Sequence, residues 1–584
     1  MADSGTLSAR VPSGATRLQR VTLLSRLRNI EPVMLLWIAL IGVLLFLVAF
    51  PLAKLFVVSF EDQRTGALTL ANYAFAYGRE RYVNALINSL LLGLASAGLA
   101  VILAVPMAWA VSRTDMPGKG LCWATVLGAF ILPPYLSAIG WILLAGPNAG
   151  FVNRFWRDLT GLDGPLFNIF SFEGITLVIA LNSFPLVFIF VKAALDLVSS
   201  EMEDAANILG AGTWTAMRRI SIPLVLPAIL GGFILVFLEA ISLFGVPAIL
   251  GIPARINVVT TQLWQFFEWP VRVEVAAAYA MPLLLITAGL IAVQKLVLAR
   301  KGFVSQTGKG GERRPIQLGP WRWVLFVWCA GVGLLAVAMP LFVLVQASFA
   351  KAWGRGFALD NLTLANYRLL LFEHEMAMQS VLNTVWFSAA AASIAVVLAL
   401  LIAYIVHRRL VRFGDALAFV AMAPFVIPGI VMAIGFYAAY AAPPLALYGT
   451  AALIVFAFAA RFLPIAYANS AAAIRAVHPE MEEAARILGS GRLNAVRRIT
   501  APLVRKALLG GWLIVFIVAS RELSAAIFLV GPRTRTMAVL LYDMSEAGNF
   551  EVLAAFGGIL LAITMTFVGV GMKLLGRDFM LRRG

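Results

Sequence analysis

The sequence predicts an all-α, polytopic membrane protein of about twelve transmembrane helices, arranged as two parallel six-helix repeats. Three observations predict it. Of 584 residues, 61% are hydrophobic and only 13% charged. Runs of about twenty or more apolar residues recur along the chain, the length a helix needs to cross the hydrocarbon core. The third is internal repetition: "LTLANY" stands at Leu68–Tyr73 and again at Leu362–Tyr367. The apolar runs do not alternate with polar residues, which excludes a transmembrane barrel, and lipid offers no partner to unpaired backbone, which requires helices.

In chain order, residues 1–32 read as a basic cytoplasmic tail (Arg10, Arg17, Arg20, Arg26, Arg28). The run that follows is too long for a signal-peptide core and lacks a small-x-small cleavage site, so it reads as an uncleaved first span. Residues 33–300 form the first six-span domain, with spans near 33–58, 84–112, 120–145, 174–198, 224–250 and 276–299. Residues 301–322, which include the Gly- and charge-rich "KGFVSQTGKGGERRPIQLGP", are a cytoplasmic linker. Residues 323–576 form the second domain, with spans near 323–348, 379–407, 416–440, 448–474, 505–530 and 551–576. Residues 577–584 are a cytoplasmic tail. The net charge of +17 sits mainly in alternate connections, including Arg113, Lys119, Arg218, Arg219, Arg408, Arg409, Arg497 and Arg498. That is the positive-inside pattern, not a nucleic-acid footprint. Asn88 and Asn383, Ala108 and Ala403, Pro133 and Pro428, and Gly140 and Gly435 pair at an offset of 295, so the halves are direct repeats. Pro133, Pro134 and Pro428 predict helix kinks.

Two charged segments interrupt this apolar chain: "EMEDAANILGAGTWTAMRRISIPL" from Glu201 and "EMEEAARILGSGRLNAVRRITAPL" from Glu480. Both fall on the cytoplasmic side of the predicted topology. Met202, Ala205, Ala206 and Leu209, like Met481, Ala484, Ala485 and Leu488, follow i, i+3, i+4, i+7 and give a short helix a narrow apolar stripe. Gly210 and Gly489 suit left-handed caps at the helix ends. A helix lying on lipid headgroups is the plainer alternative. Against it, the stripe is mostly alanine and the first turn is acidic (Glu201, Glu203, Asp204; Glu480, Glu482, Glu483), which anionic lipid repels. Docking against a protein partner fits better.

The two segments resemble the EAA motif, E-A-A-x3-G-x9-I-x-L-P, of binding-protein-dependent ABC importer permeases. Here it reads Asp204-Ala205-Ala206, Gly210, Ile220, Ile222 and Pro223, then Glu483-Ala484-Ala485, Gly489, Ile499, Ala501 and Pro502. Asp204, Ile222 and Ala501 depart mildly from it. The resemblance covers roughly 80–300 and 375–576 and is most like the fused ferric-iron permeases; thiamine and 2-aminoethylphosphonate importers have similar fused permeases. It implies a bacterial inner-membrane subunit with both termini cytoplasmic. It also implies two copies of a cytoplasmic ABC ATPase at the two motifs, and a periplasmic binding protein that delivers substrate. No G-x-x-x-x-G-K-[ST] occurs, so ATP and Mg belong to the ATPase partner; no cofactor is expected on this chain, and no enzymatic activity.

Ionisable residues inside spans are costly and call for a reason. Arg461 in the tenth span, its repeat counterpart Asn182, Glu239 in the fifth span, and Arg521 and Glu522 in the eleventh are candidate lining residues of a translocation path. A packing pair of Arg461 with Glu522 is the structural alternative. Cys122 and Cys329 lie in apolar runs, and His374, His407 and His478 are scattered, so no metal centre is expected. A secondary transporter with parallel repeats is the competing class, but it gives no reason for two matched docking segments. A membrane enzyme would need clustered His or carboxylates that the sequence lacks.

Overall fold

The computed structural model describes residues 32–197, 205–206, 208–300, 315–356 and 358–576. The predicted N- and C-terminal tails and most of the linker lie outside the described residues, as do Glu201, Met202, Glu203 and Asp204. Among the described residues there are ten helices long and apolar enough to cross a membrane. They are α1 (Val33–Ser59), α2 (Glu80–Arg113), α6 (Phe172–Leu197), α7 (Trp214–Ser242), α9 (Val273–Leu296), α10 (Trp321–Ser348), α11 (Glu375–His407), α14 (Ala451–Arg475), α16 (Arg492–Ser520) and α18 (Phe550–Leu575).

The remaining two spans are broken. Helices α3 (Lys119–Ile131) and α4 (Pro134–Ala145) meet at 103°, and α12 (Gly414–Phe425) and α13 (Gly429–Tyr440) at 110°. The expected kinks are therefore full breaks, and spans three and nine are not single rods. A lone proline does not do this: Pro106, Pro185 and Pro464 sit inside unbroken helices. At the breaks proline has help. Pro133 precedes Pro134, so Leu132 and Pro133 are both driven out of the α region, and Pro428 (ψ 141°) precedes a glycine with little helix preference.

The fifth and eleventh spans also end early, at Ser242 and Ser520, not near 250 and 530. Each is followed by a break, a single helical turn (Pro247–Gly251 and Ala526–Leu529) and then a short helix: α8 (Val259–Gln265) in the first half and α17 (Met537–Glu546) in the second. Arg521 and Glu522 thus stand just beyond the eleventh helix, where its regular hydrogen bonding stops.

Within each half the second, fourth and fifth spans form a tight trio: α2, α6 and α7, and then α11, α14 and α16. The first span of each half does not join it. Instead α1 packs against α9 and against α13 of the other half, while α10 packs against α18 and against α4 of the other half. The crossing is close. A Cβ on Gly140 would lie 3.1 Å from the Pro340 carbonyl oxygen, and one on Gly435 would lie 2.9 Å from that of Pro51. The repeat of Gly140 and Gly435 therefore records two matching backbone contacts between halves.

The repeated "LTLANY" is a clamp on the turn after each first span. Asn72 donates to the carbonyls of Ser59 and Glu61, and Tyr73 pairs with the Ser59 hydroxyl at 2.8 Å. Asn366 and Tyr367 repeat this on Ser348 and Ala350. The paired Asn88 and Asn383 work likewise, tying their helices to Asn257 and to Arg533 and Arg535. The extra residues of the first half include an amphipathic helix, α5 (Phe151–Thr160).

Candidate functional sites: two cytoplasmic-type loops and a cavity between the halves

The second charged segment folds as a short helix, α15 (Pro479–Ile487), with Pro479 in its first turn. Gly489 has φ +87° and Gly210 +84°, with open space around both. Behind each glycine, the Ser490 N–H donates to the Ala485 carbonyl and the Ala211 N–H to that of Ala206, which is how a left-handed cap closes a helix. In the first segment Ala205 and Ala206 are helical and the turn follows at Leu209 and Gly210.

What these loops present to solvent is more apolar than the alanine stripe suggests. Leu209 and Leu488 are 86% and 88% exposed, and their neighbours Ile208 and Ile487 equally so. Trp214 and Leu493 on the following turn are exposed as well. Glu480, Glu483 and Ala484 are exposed, and Ala206 and Ala485 half-buried.

Glu482 faces the other way and is buried. Its Oε1 accepts from Nε and Nη2 of Arg408 (3.2 and 3.0 Å) and from the Thr500 hydroxyl (2.5 Å), and its Oε2 accepts from the Tyr404 hydroxyl (2.8 Å). Burial works against the charge on Glu482, but the Thr500 and Tyr404 hydrogen bonds and the Arg408 cation outweigh it and hold its carboxyl below the usual carboxylate range. This residue fastens α15 to the ends of α11 and α16 and is no part of the exposed face. Sequence reasoning grouped it with its acidic neighbours. The repeat could have separated them, because Arg408 matches Arg113 (408 − 113 = 295) and Thr500 matches Ser221 (500 − 221 = 279). Arg113 and Ser221 are buried too.

The second site is a cavity of about 430 Å³ between the halves. Its wall is built from the irregular stretches: the α3–α4 and α12–α13 breaks and residues 521–524, together with one side of α7, α9 and α14. Glu239, Arg461, Arg521 and Glu522 all line it; Asn182 is not among the lining residues. Asn182 instead donates to the Val178 carbonyl one turn earlier on its own helix.

Three of the four charges are held by one another or by backbone, and Glu239 takes a hydrogen bond from Ser183. Arg461 Nε pairs with Glu522 Oε2 at 3.2 Å, and Glu522 Oε1 accepts the Ala525 N–H at 2.9 Å. The Arg461 guanidinium lies directly over Gly429, where any side chain would collide with it. Arg521 crosses to the first half and donates to the Phe130 carbonyl at the α3–α4 break. The expected Arg461–Glu522 pair is present, then, and it borders the cavity. Tyr135, at the start of α4, also lines the cavity; it is 2% exposed and its hydroxyl has no partner among the described residues. Sequence reasoning missed it, since a lone tyrosine in an apolar run carries no signal.

Among known proteins, residues 32–302 and 395–580 match the family described as binding-protein-dependent transport system inner membrane component. The ferric transport system permease protein FbpB of Actinobacillus pleuropneumoniae is 26% identical over 542 residues, spanning 91% of this chain and 76% of that protein. A putative ferric transport system permease protein of Haemophilus influenzae is 25% identical over 504 residues, covering 85% and 78%. The molybdenum transport system permease protein ModB of Escherichia coli is 30% identical over 190 residues, covering 31% of this chain and 80% of that protein.

Proposed function

The chain belongs to the family of binding-protein-dependent transport system inner membrane components, and from that premise we propose that it is the fused permease of an ATP-driven ferric-iron importer. Relatives named as ferric transport permeases align along most of both chains, which supports the cargo. The molybdenum relative is closer in identity but matches only about one repeat, so it speaks for the repeat and not for the cargo.

The observation that carries the mechanism is the pair of loops with bare apolar tips, one of them bolted to the bundle by Glu482. In this reading two copies of an ATPase cover Ile208 and Leu209 on one loop and Ile487 and Leu488 on the other. These tips are exposed where loop and solvent meet, and burying them supplies docking energy. Glu482 then makes α15 move with α11 and α16. Helix α16 has 29 residues, about 43 Å at 1.5 Å per residue, and it runs from the loop to Ser520. Beyond it stand Arg521 and Glu522 in the cavity wall. Closure of the ATPase pair on ATP is thereby delivered to the cavity, which opens in turn to a docked binding protein and to the cytoplasm. The N-terminus, the linker and the C-terminus lie on the ATPase side in this topology.

The test is uptake of radioactive iron into proteoliposomes that hold the permease with its ATPase, supplied with the iron-loaded binding protein. Uptake should require ATP inside and the binding protein outside. Iron uptake that persists without the ATPase, or an ATP-driven complex that ignores iron, refutes the reading.

A further inference from the structure

We infer that Glu239 and Tyr135 are the groups that touch the cargo in mid-membrane, as a pair of hard oxygen donors for a trivalent cation. The inference rests on the importer reading above and adds the contact residues. Of the polar groups in the cavity wall, Arg461, Glu522 and Arg521 are occupied by one another or by the Phe130 carbonyl. Two oxygens are not: the Tyr135 hydroxyl and, although Ser183 hydrogen-bonds the Glu239 carboxyl, the Oε2 of Glu239 are buried without a hydrogen-bond partner among the described residues. Both residues line the same cavity, and Arg521 is the common electrostatic neighbour of both. Buried polar groups in folded proteins are nearly always satisfied, and two orphans facing one cavity point to a ligand that visits it.

The chemistry selects the ligand class. A carboxylate and a phenol are oxygen donors suited to hard, highly charged cations. No thiol or imidazole lines the cavity, so a soft metal finds no preferred donor. Two donors make an incomplete shell, and the nearby guanidinium groups of Arg461 and Arg521 oppose a bare cation. Both features shorten residence. That suits a conduction site, where binding must permit exit as well as entry. The Arg461–Glu522 pair is a wall element in this assignment, not a ligand.

The experiment compares wild type with Tyr135→Phe, Glu239→Gln and Glu239→Asp in the reconstituted complex with its ATPase and iron-loaded binding protein. Loss of one charge-assisted contact predicts iron uptake about ten- to hundredfold lower for E239Q. Y135F lowers it less and E239D restores much of it, while ATP hydrolysis stimulated by the binding protein is retained. Unimpaired uptake in the Y135F/E239Q double variant overturns the inference, as does a parallel loss of uptake and hydrolysis in an assembled complex. A second measurement covers variants that fail to assemble. Terbium(III) alone, added to the purified wild-type complex, should give tyrosine-sensitised emission that ferric ion displaces; its absence overturns the inference. A wild-type complex that imports no iron fails the cargo assignment before any variant is compared. One that imports iron while the variants are unimpaired fails only the donor pair.

Discussion

Replacing Glu482 by alanine should release the α15 helix from the bundle while leaving the spans intact. The side chains of Glu482 and Arg408 are each only 9% exposed. The substitution strands the Arg408 guanidinium with the Val477 carbonyl as its remaining partner. It also removes the acceptor for the Tyr404 and Thr500 hydroxyls. Breaking one side of a buried ion pair costs about 3–5 kcal/mol. Both hydroxyls bond the same carboxylate as Arg408, so their losses do not add in full. We take about 3 kcal/mol, which at 1.4 kcal/mol per decade is roughly a hundredfold in the local opening equilibrium. Hydrogen–deuterium exchange reads that quantity directly, on the amides of residues 478–490. Their exchange should quicken by that factor in E482A while the amides of α14 are unchanged.

Acid should imitate the mutation. The folded carboxyl titrates below its unfolded value of about 4.3, so its contribution is complete above that pH and disappears as pH falls through the lower, folded value. The difference between wild type and E482A should therefore be flat near neutrality and shrink below about pH 4. Exchange in E482A within about threefold of wild type would refute the anchoring role, since that is less than 1 kcal/mol.

Three further outcomes follow from other contacts. Arg461→Met and Glu522→Gln should each lower the thermal stability of the purified protein, by about 3–5 kcal/mol if fully expressed. The double variant should lose less than the sum, because neither charge is then left alone; a purely additive cycle in thermal melts counts against the pairing. Gly435→Ala places a methyl 2.9 Å from the Pro51 carbonyl oxygen and should cost about 1–3 kcal/mol through overpacking. Gly42→Ala, with nothing within 4 Å, serves as its control in the same melts. Gly489→Ala meets no atom but must hold φ +87°, so it should weaken α15 protection by about 1–2 kcal/mol. Gly489→Asn should cost less, and equal effects of the two would remove the backbone argument.

Much of this architecture was legible because membrane insertion constrains sequence so tightly. The ten continuous spans follow from apolar length, and the two exposed loops from charge where no charge belongs. The caps at Gly210 and Gly489 follow from glycine at the end of a short amphipathic turn. What was illegible depends on which element meets which. Proline marked both broken spans, but a proline alone cannot say whether a helix bends or breaks; Pro185 and Pro133 look alike until Pro134 is counted. The fifth and eleventh spans were read too long because Leu243–Leu250 and Leu523–Val530 stay apolar after the helix ends. Most of their residues are buried against protein, not lipid, and hydropathy does not distinguish the two. Glu482 reads as part of the exposed face because its acidic neighbours are there. Its true setting is fixed by Arg408, 74 residues away.

The crossing of the first spans changes what the two repeats are. By sequence, residues 33–300 and 323–576 are two copies of one unit, and the linker between them reads as a domain boundary. In space that boundary does not divide the molecule, because α1 lies against α13 and α10 against α4. Each first span touches the last span of its own half and the broken span of the other. Gly140 and Gly435 bring those contacts down to backbone distance, where packing is too close to slide without cost. If the halves rock to open the cavity in turn to each side, the least costly path keeps these two backbone contacts, Gly140 with Pro340 and Gly435 with Pro51, and moves each first span with the opposite half. Bending must then concentrate where regular hydrogen bonding already fails: at Leu132–Pro133, at Val426–Pro428, and after Ser242 and Ser520. Three of those stretches contribute to the cavity wall, and Phe130, Pro134 and Tyr135 flank the fourth there. Hinge and cavity wall then largely coincide, so the segments free to move are the ones that shape the cavity.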